Sequence, residues 1–419
     1  MSRTPPPPVA VTGLGLVTPA GIGVEATWEG VVSGRPAAAA DPQLAGLPVD
    51  FSCRVPDFDP AAHAGPRAGT GARKSAGPAR LDRFAQFALA AAREAIADAR
   101  LDPAAWDGAR VGIVVGSAFG GVGTLETQHA RMLGADRALP SPLLLPMFLP
   151  NMAAGALAVE FGARGPCLHV STACASGATA LGIALSLLRA DACDVVLAGG
   201  AEAAITRLCA AGFAKLGALS RGRADPAGAS RPFDAARDGF VLGEGAGVFV
   251  LERAADARAR DLRPHAILAG YGASADAYHP VAPDPAGTGA EAAIRSALAD
   301  AGAGPEDVEH VNAHGTSTPA GDRIEAATLR RVLGERPSVT SVKGVTGHTL
   351  GAAGAIEAAL TVLAMARGSV PPTANLTEPG AGIEIDLVSG AARAQSPRFA
   401  LSESFGFGGQ NAVLAFAAA

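Results

Sequence analysis

From Ala178 to Leu188 the chain is apolar on nearly every side. A helix without a polar face has to be covered all round, so this segment requires protein above and below it. The preceding stretch, Cys167 to Ala173, reads as a short buried strand, and Ala175 to Gly182 opens the helix with small residues. The same order returns late in the chain. Strand Val339 to Val342 leads through a glycine-rich loop into an equally apolar helix over residues 352–366. Strands are also expected over Val9–Gly15, Val111–Val115, Asp194–Gly200, Gly245–Leu251, Ala266–Gly270, His310–Ala313, Phe399–Leu401 and Asn411–Phe416. Helices are expected over Phe84–Ala99, Gly289–Ala301 and Ile324–Leu333. Alternating strands and helices around buried helices describe an α/β layered protein. The repeated element order, without residue-level repetition, suggests two similar halves, residues 1–253 and 254–419, whose loops meet at one cleft. Residues 36–80, rich in Pro, Gly and Ala, read as an irregular surface excursion.

Composition supports an extensive interior. Of 419 residues, 49% are hydrophobic and 17% charged, which excludes a disordered or charge-coated chain. Five cysteines without regular spacing argue for a reducing compartment and against a disulfide scaffold. Pro5 to Pro8 stand where a signal peptide would need an apolar stretch, and apolar runs elsewhere are broken by glycine and charge. A soluble, cytoplasmic protein away from membranes is expected. With 34 basic against 39 acidic residues, the charge of -5 gives no reason to expect nucleic acid.

Cys174 sits at the hinge between the first strand and its helix, where the helix N-terminus favours a thiolate. Cys53, Cys167, Cys193 and Cys209 read as buried small hydrophobes. Two histidines occupy stereotyped turns. His314 follows an apolar strand in Asn312-Ala313-His314-Gly315-Thr316-Ser317-Thr318-Pro319, and His348 closes Lys343-Gly344-Val345-Thr346-Gly347-His348. A cysteine with two imidazoles suffices for acyl transfer or carbon-carbon bond formation: each ring can donate to a thioester-derived oxyanion and one can exchange a proton. Zinc on Cys174, His314 and His348 is disfavoured, since no close ligand pair anchors it. His63, His129, His169, His265 and His310 read as structural or surface groups, whereas the loop Asp276-Ala277-Tyr278-His279 is placed at the cleft. Ser404-Phe405-Gly406-Phe407-Gly408-Gly409 follows a predicted strand and makes a tight turn. It is no dinucleotide fingerprint, because no βαβ unit with its acidic residue follows.

Together these motifs resemble the elongating β-ketoacyl-[acyl carrier protein] synthases, the KAS II-like branch of the thiolase superfamily. The resemblance runs from about residue 9 to 417 and rests on Thr172 to Gly177, Val311 to Asp322, Lys343 to Gly354 and Ser404 to Gly409. It implies a thiolase-like duplicated αβαβα fold and no cofactor beyond the phosphopantetheine that carries the substrates. It also implies an acyl carrier protein as partner, with a homodimer or a heterodimer with a chain-length-factor-like subunit. Cys174 would take the acyl group, with the N–H groups of Cys174 and Phe407 as oxyanion hole. His314 and His348 would assist decarboxylation of malonyl carrier, Lys343 and Glu357 would form a supporting ion pair, and Asp276 would support the site. Thr316 and Thr318 would hold the pantetheine arm, Phe407 would gate the site, and Phe119, Phe405 and His279 would contact substrate.

The reaction so implied is decarboxylative Claisen condensation to a 3-oxoacyl carrier thioester. No cysteine follows Cys209, unlike a thiolase, and His348 stands where an initiating synthase would have asparagine. Several positions depart from the family pattern: Glu403 replaces a usual asparagine, Gly344 a small hydroxyl residue, and Gln410 a threonine or histidine. Phe119 lies where the family lines the far end of its acyl tunnel. These departures point to a specialised type II polyketide or polyene pathway, with housekeeping fatty-acid elongation and a non-condensing chamber-forming subunit as alternatives, the last disfavoured by Cys174. Arg73, Lys74, Arg80, Arg131 and Arg207 are candidates for docking an acidic carrier.

Overall fold

A computed structural model describes residues 6–63, 80–134, 138–222 and 224–419. Five strands of the first half are β1 (Val9–Thr18), β2 (Val111–Gly116), β3 (Cys167–Val170), β4 (Val195–Glu202) and β5 (Gly245–Arg253). Five of the second are β6 (Ala266–Ala275), β7 (His310–Asn312), β8 (Ser338–Thr340), β9 (Phe399–Gly406) and β10 (Gln410–Ala417).

The spatial order is β3-β2-β4-β5-β1 in the first half and β8-β7-β9-β10-β6 in the second, the same topology written twice. Directions repeat as well. β2 runs parallel to β3 and β4, as β7 does to β8 and β9; β5 is antiparallel to β4 and β1, as β10 is to β9 and β6. Strands β1 and β6 join the halves antiparallel through Val9–Leu268, Ala10–Ile267 and Val11–Ala266. Duplication suggested by element order is therefore present in the topology.

Parallel neighbours need crossover connections, and helices supply them. The main ones are α1 (Arg83–Asp98), α2 (Met152–Phe161), α3 (Ser176–Arg189), α4 (Thr288–Ala301), α5 (Pro319–Leu333) and α6 (Ala353–Arg367). The two apolar helices α3 and α6 form the middle layer, where Leu181, Leu185, Ile356 and Leu360 share one core with Val114, Phe249, Leu414 and Phe416 of the sheets. Helices α1 and α2 cover the first half from outside, and α4 and α5 the second. Five alternating layers result. The middle helices cross at paired glycines: a Cβ on Gly177 would stand 2.7 Å from the Ala355 N, and one on Gly354 would stand 2.8 Å from the Ala178 N. Small residues are needed here because the backbones nearly touch.

Five expectations need correction. Leu350–Arg367 reaches the length and hydropathy of a membrane span, so the apolar runs are not all interrupted, but 89% of it is buried inside the protein. It is a core helix. Strand β3 is not buried, for it forms the outer edge of the sheet, and Cys167 and Leu168 are exposed there. Residues 36–63 are not merely a surface excursion. Ala39–Ala40 pairs antiparallel with Phe51–Ser52, and Leu44, Val49, Phe51 and Cys53 are buried against Phe240, Leu242 and Leu350. The Pro and Gly content concealed that apolar spacing. Finally, α5 begins at Pro319 rather than Ile324, since proline is accepted at the first helical position, and β9 continues to Gly406 rather than ending at Leu401.

Candidate active site

Each catalytic candidate lies just past a strand of its half. Strand β3 ends at Val170, and Cys174 occupies a single tight turn, Ala173–Ala175, before α3. Ala173 takes φ +49°, an unfavourable value for a non-glycine residue that turns the chain sharply and presents the sulfur. Strand β7 delivers His314 two residues after Asn312. His348 follows the short helical turn Lys343–Thr346; its N–H donates to Val241 O at 2.7 Å, and its carbonyl accepts Gly243 N–H at 2.9 Å.

The three groups converge. His348 Nε2 lies 3.1 Å from Cys174 Sγ, and a sulfur or nitrogen of Cys174, His314 and His348 all lie within 4.8 Å of one another. The imidazoles meet edge to face with centroids 5.4 Å apart. All three residues are at most 8% exposed. Burial holds both imidazoles well below the ordinary histidine range, and Lys343 adds to the effect, so both are neutral.

Burial pushes the Cys174 thiol up to about 11, although the Phe407 N–H and the Lys343 charge oppose it. The sequence-based expectation of a thiolate primed by the helix end is therefore corrected. Removing the sulfur from water outweighs the opposing Phe407 N–H and Lys343 charge, so the thiol is the favoured resting form.

Lys343, fully buried, donates to the His314 carbonyl at 2.5 Å and pairs with Glu357. Burial raises the Glu357 carboxyl to about 7 against the lowering effect of Lys343. Beyond the reacting groups opens a cavity of about 430 Å³ lined by Phe119, Phe213, Phe240, Phe405 and Phe407, with Thr316 and Thr318 on its polar side.

The chain matches the β-ketoacyl synthase N-terminal domain over residues 7–257 and the C-terminal domain over residues 265–377. It is 43% identical over 415 residues to the 3-oxoacyl-[acyl-carrier-protein] synthase 2 of Synechocystis sp., covering 97% of each chain. The chain belongs to the β-ketoacyl synthase family. Among solved structures, the ishigamide ketosynthase/chain length factor superposes with a TM-score of 0.90 at 33% identity, over 99% of this chain and 100% of that one. A type II polyketide synthase acyl-carrier protein in complex with its ketosynthase bound to the hexaketide gives 0.88 at 31%, with the same coverage. The layered topology is thus the duplicated thiolase-like fold of these ketosynthases.

In this ketosynthase chain, the two halves bring Cys174, His314, His348, Lys343, Glu357, Phe405 and Phe407 together in space. Phe407 stands at the tip of the β9–β10 hairpin, where Gly408 and Gly409 take positive φ. Thr316 and Thr318 line the cavity, and their hydroxyls are 3.0 Å apart. Asp276 lines it too, but its carboxylate accepts from Asn411 Nδ2 at 2.7 Å and Asp284 N at 3.1 Å, bracing the hairpin base. His279 departs from expectation. It is exposed, is absent from the cavity lining, and accepts the Val281 and Ala282 N–H groups through Nδ1, because its loop turns outward. Arg80, Arg131 and Arg207 are exposed, and Arg207 already donates to the Gln43 and Ala45 carbonyls; Arg73 and Lys74 lie outside the described residues.

Sequence reasoning gave no role to three contributors. Phe213 stands within 6.2 Å, centroid to centroid, of Phe119, Phe240 and Phe407, joining the cavity's aromatic rings. Glu202 is fully buried and accepts the N–H groups of Ala118, Phe119 and Gly351, tying the Phe119 loop to the segment after His348. Glu325 accepts the N–H groups of His314 and Gly315 at 2.6 and 2.7 Å. Its spacing, eleven residues after His314, was the available signal.

Proposed function

We propose that this chain condenses an acyl group held on Cys174 with a malonyl unit carried by acyl carrier protein, in a specialised type II polyketide or polyene pathway. The observation that carries the reading is the approach of His348 Nε2 to within 3.1 Å of Cys174 Sγ beside His314. In the first half-reaction Sγ attacks the acyl thioester carbon as its proton passes to His348 Nε2. The N–H groups of Cys174 and Phe407 receive the oxyanion, and the imidazole returns a proton to the departing pantetheine sulfur. His348 Nδ1 has no partner among the described residues, so nothing pins its proton to one nitrogen. In the second half-reaction the malonyl carboxylate leaves as CO₂, its electron pair passing into an enolate whose oxygen accepts hydrogen bonds from the two neutral imidazoles. The enolate carbon attacks the Cys174 thioester, the carbon-sulfur bond breaks, and the 3-oxoacyl carrier thioester departs while the thiolate regains a proton from solvent.

Lys343 and Glu357 fix the His314 side of this arrangement. Thr316 and Thr318 offer hydroxyls to the pantetheine arm, and Phe407 gates the acyl tunnel. The carrier docks near Arg80, Arg131 and Arg207. The division between the two halves falls between residues 253 and 254.

A partner subunit is supported by exposed apolar side chains concentrated between residues 119 and 168, among them Leu133, Leu139, Leu145, Val159 and Leu168. The likeness to a ketosynthase/chain length factor supports a heterodimer with a subunit of that type. Fatty-acid elongation is the second reading, favoured by the identity to 3-oxoacyl-[acyl-carrier-protein] synthase 2. Intact-mass measurement of Cys174 after exposure to competing saturated and conjugated acyl carriers separates the two. Preferential loading of conjugated chains is expected, and clear preference for long saturated chains would assign the protein to fatty-acid elongation. No loading of any chain, in a folded protein, would remove the condensing function.

A further inference from the structure

Glu403 stands in the interior, and among the described residues no cation pairs with it. Along β9 the side chains alternate, so Leu401, Glu403 and Phe405 share one face. Leu401 lies in the outer core beneath α4 and α5, and Phe405 packs against that core and edge-on to His314, with centroids 5.9 Å apart. Glu403 therefore points toward α5. It is fully buried, and among the described residues neither of its oxygens meets an N–H or hydroxyl donor. The group that closes on it is the carboxyl of Glu325, which is 4% exposed and whose two oxygens already hold the backbone of His314 and Gly315.

Two carboxylates in hydrogen-bond contact away from water cannot both be charged. Glu325 is engaged as an acceptor on both oxygens, which leaves the shared proton to Glu403. Resting on the role given above to His314, we propose that Glu403 is a positioning residue: as a neutral acid it donates its O–H to Glu325, which grips the His314–Gly315 turn and so aims the imidazole. Among the described residues, the surrounding charges leave Glu403 no alternative partner. On α5, Asp322 adds negative field at Glu325 and is itself 3.6 Å from Arg237. Lys343 draws Glu325 toward the charged form but is bound to Glu357 and the His314 carbonyl. The strand neighbour across β10 is Val413. Burial pushes both carboxyls up, Glu403 most strongly, and Glu325 opposes the ionisation of Glu403.

Infrared difference spectra of Cys174→Ala and Cys174→Ala/Glu403→Gln protein test the shared proton without any turnover. A carbonyl band of a protonated carboxylic acid in a dry environment is expected at neutral pH in the first protein and should be lost in the second. An unchanged band overturns the proposal. In the otherwise unaltered enzyme, Glu403→Leu removes the donor to Glu325 and is expected to lower the condensation kcat about tenfold, with KM for the acyl carrier within about twofold. Glu403→Gln, which keeps a donor, should restore most of that loss and move the alkaline limb of the pH profile up by about one unit or more. Equal kcat and identical limbs in wild type, Leu and Gln variants contradict the positioning role. If no variant or wild-type protein condenses any substrate, the infrared band decides the proton question independently of the enzymatic reading.

Discussion

His348 Nε2 lies 3.1 Å from Cys174 Sγ, although 174 residues separate the two in the chain and each is delivered by a different half of the fold. The pair is a neutral thiol facing a neutral imidazole, because burial raises one group and lowers the other. Proton transfer must then accompany attack.

This electrostatic state sets the reactivity of Cys174. Alkylation of the free enzyme by iodoacetamide should rise steadily through the alkaline range as the thiol approaches its raised value of about 11, without a plateau near neutrality. His348→Ala should slow acylation from acyl carrier by about 10²–10⁴-fold, the usual worth of a positioned acid-base group. Stopped-flow acylation and mass spectrometry measure both. Chelator treatment should leave both rates unaltered.

Acid sensitivity has a contributor outside the site. His310 is fully buried, with Nδ1 directed at Ser338 and its pKa lowered by burial from 6.5 to about 4. A folded pKa below the unfolded one means that the unfolded chain binds the extra proton. The stability His310 contributes is then fully present above pH 6.5 and lost as pH falls through about 4. The linked free energy is about 3 kcal/mol, at about 1.4 kcal/mol per pKa unit. His310→Gln carries no such linkage, so its Tm relative to wild type should become more favourable step by step from pH 6.5 down to 4 in thermal melts.

The crossing of the middle helices leaves no room for a methyl group. A Cβ at Gly354 would stand 2.7 Å from Ser404 Oγ and 2.9 Å from Ala178 Cβ as well as against the Ala178 backbone. Gly354→Ala is expected to destabilise the protein by about 1–3 kcal/mol. It should also slow acylation, because the same helix start positions Cys174. Denaturant melts and single-turnover acylation report the two effects.

Aromatic rings govern the chamber. Phe213 is packed against Phe119, Phe240 and Phe407 at once, whereas Phe119 is 38% exposed at one side of the cavity. Phe119→Ala should lengthen products if that ring forms the end wall. Phe213→Ala should lengthen them too and also loosen acyl-chain discrimination, since it releases the Phe407 ring. Product chain-length distributions check both substitutions, and unchanged lengths for Phe119→Ala remove that ring from the end wall.

The apolar circumference of residues 178–188 and 352–366 was enough to require buried middle helices, and the turns around Cys174, His314, His348 and Phe407 were legible because their small residues serve local geometry. Local pattern could not decide which side of a strand is covered: β3 was read as buried, yet it is an edge whose far side faces outward. Nor could it show the state of charge. Near a helix start Cys174 reads as a thiolate, and only the packing of the other half over it shows that desolvation wins. Phe213 and Glu202 were given no role for the same reason, as each acts through contacts with distant segments, whereas Glu325 grips a turn only eleven residues away. Residue type and spacing determined the chemistry available to this chain, while the distances and dielectric that set how those groups behave came from the joining of two halves, which no window of sequence contains.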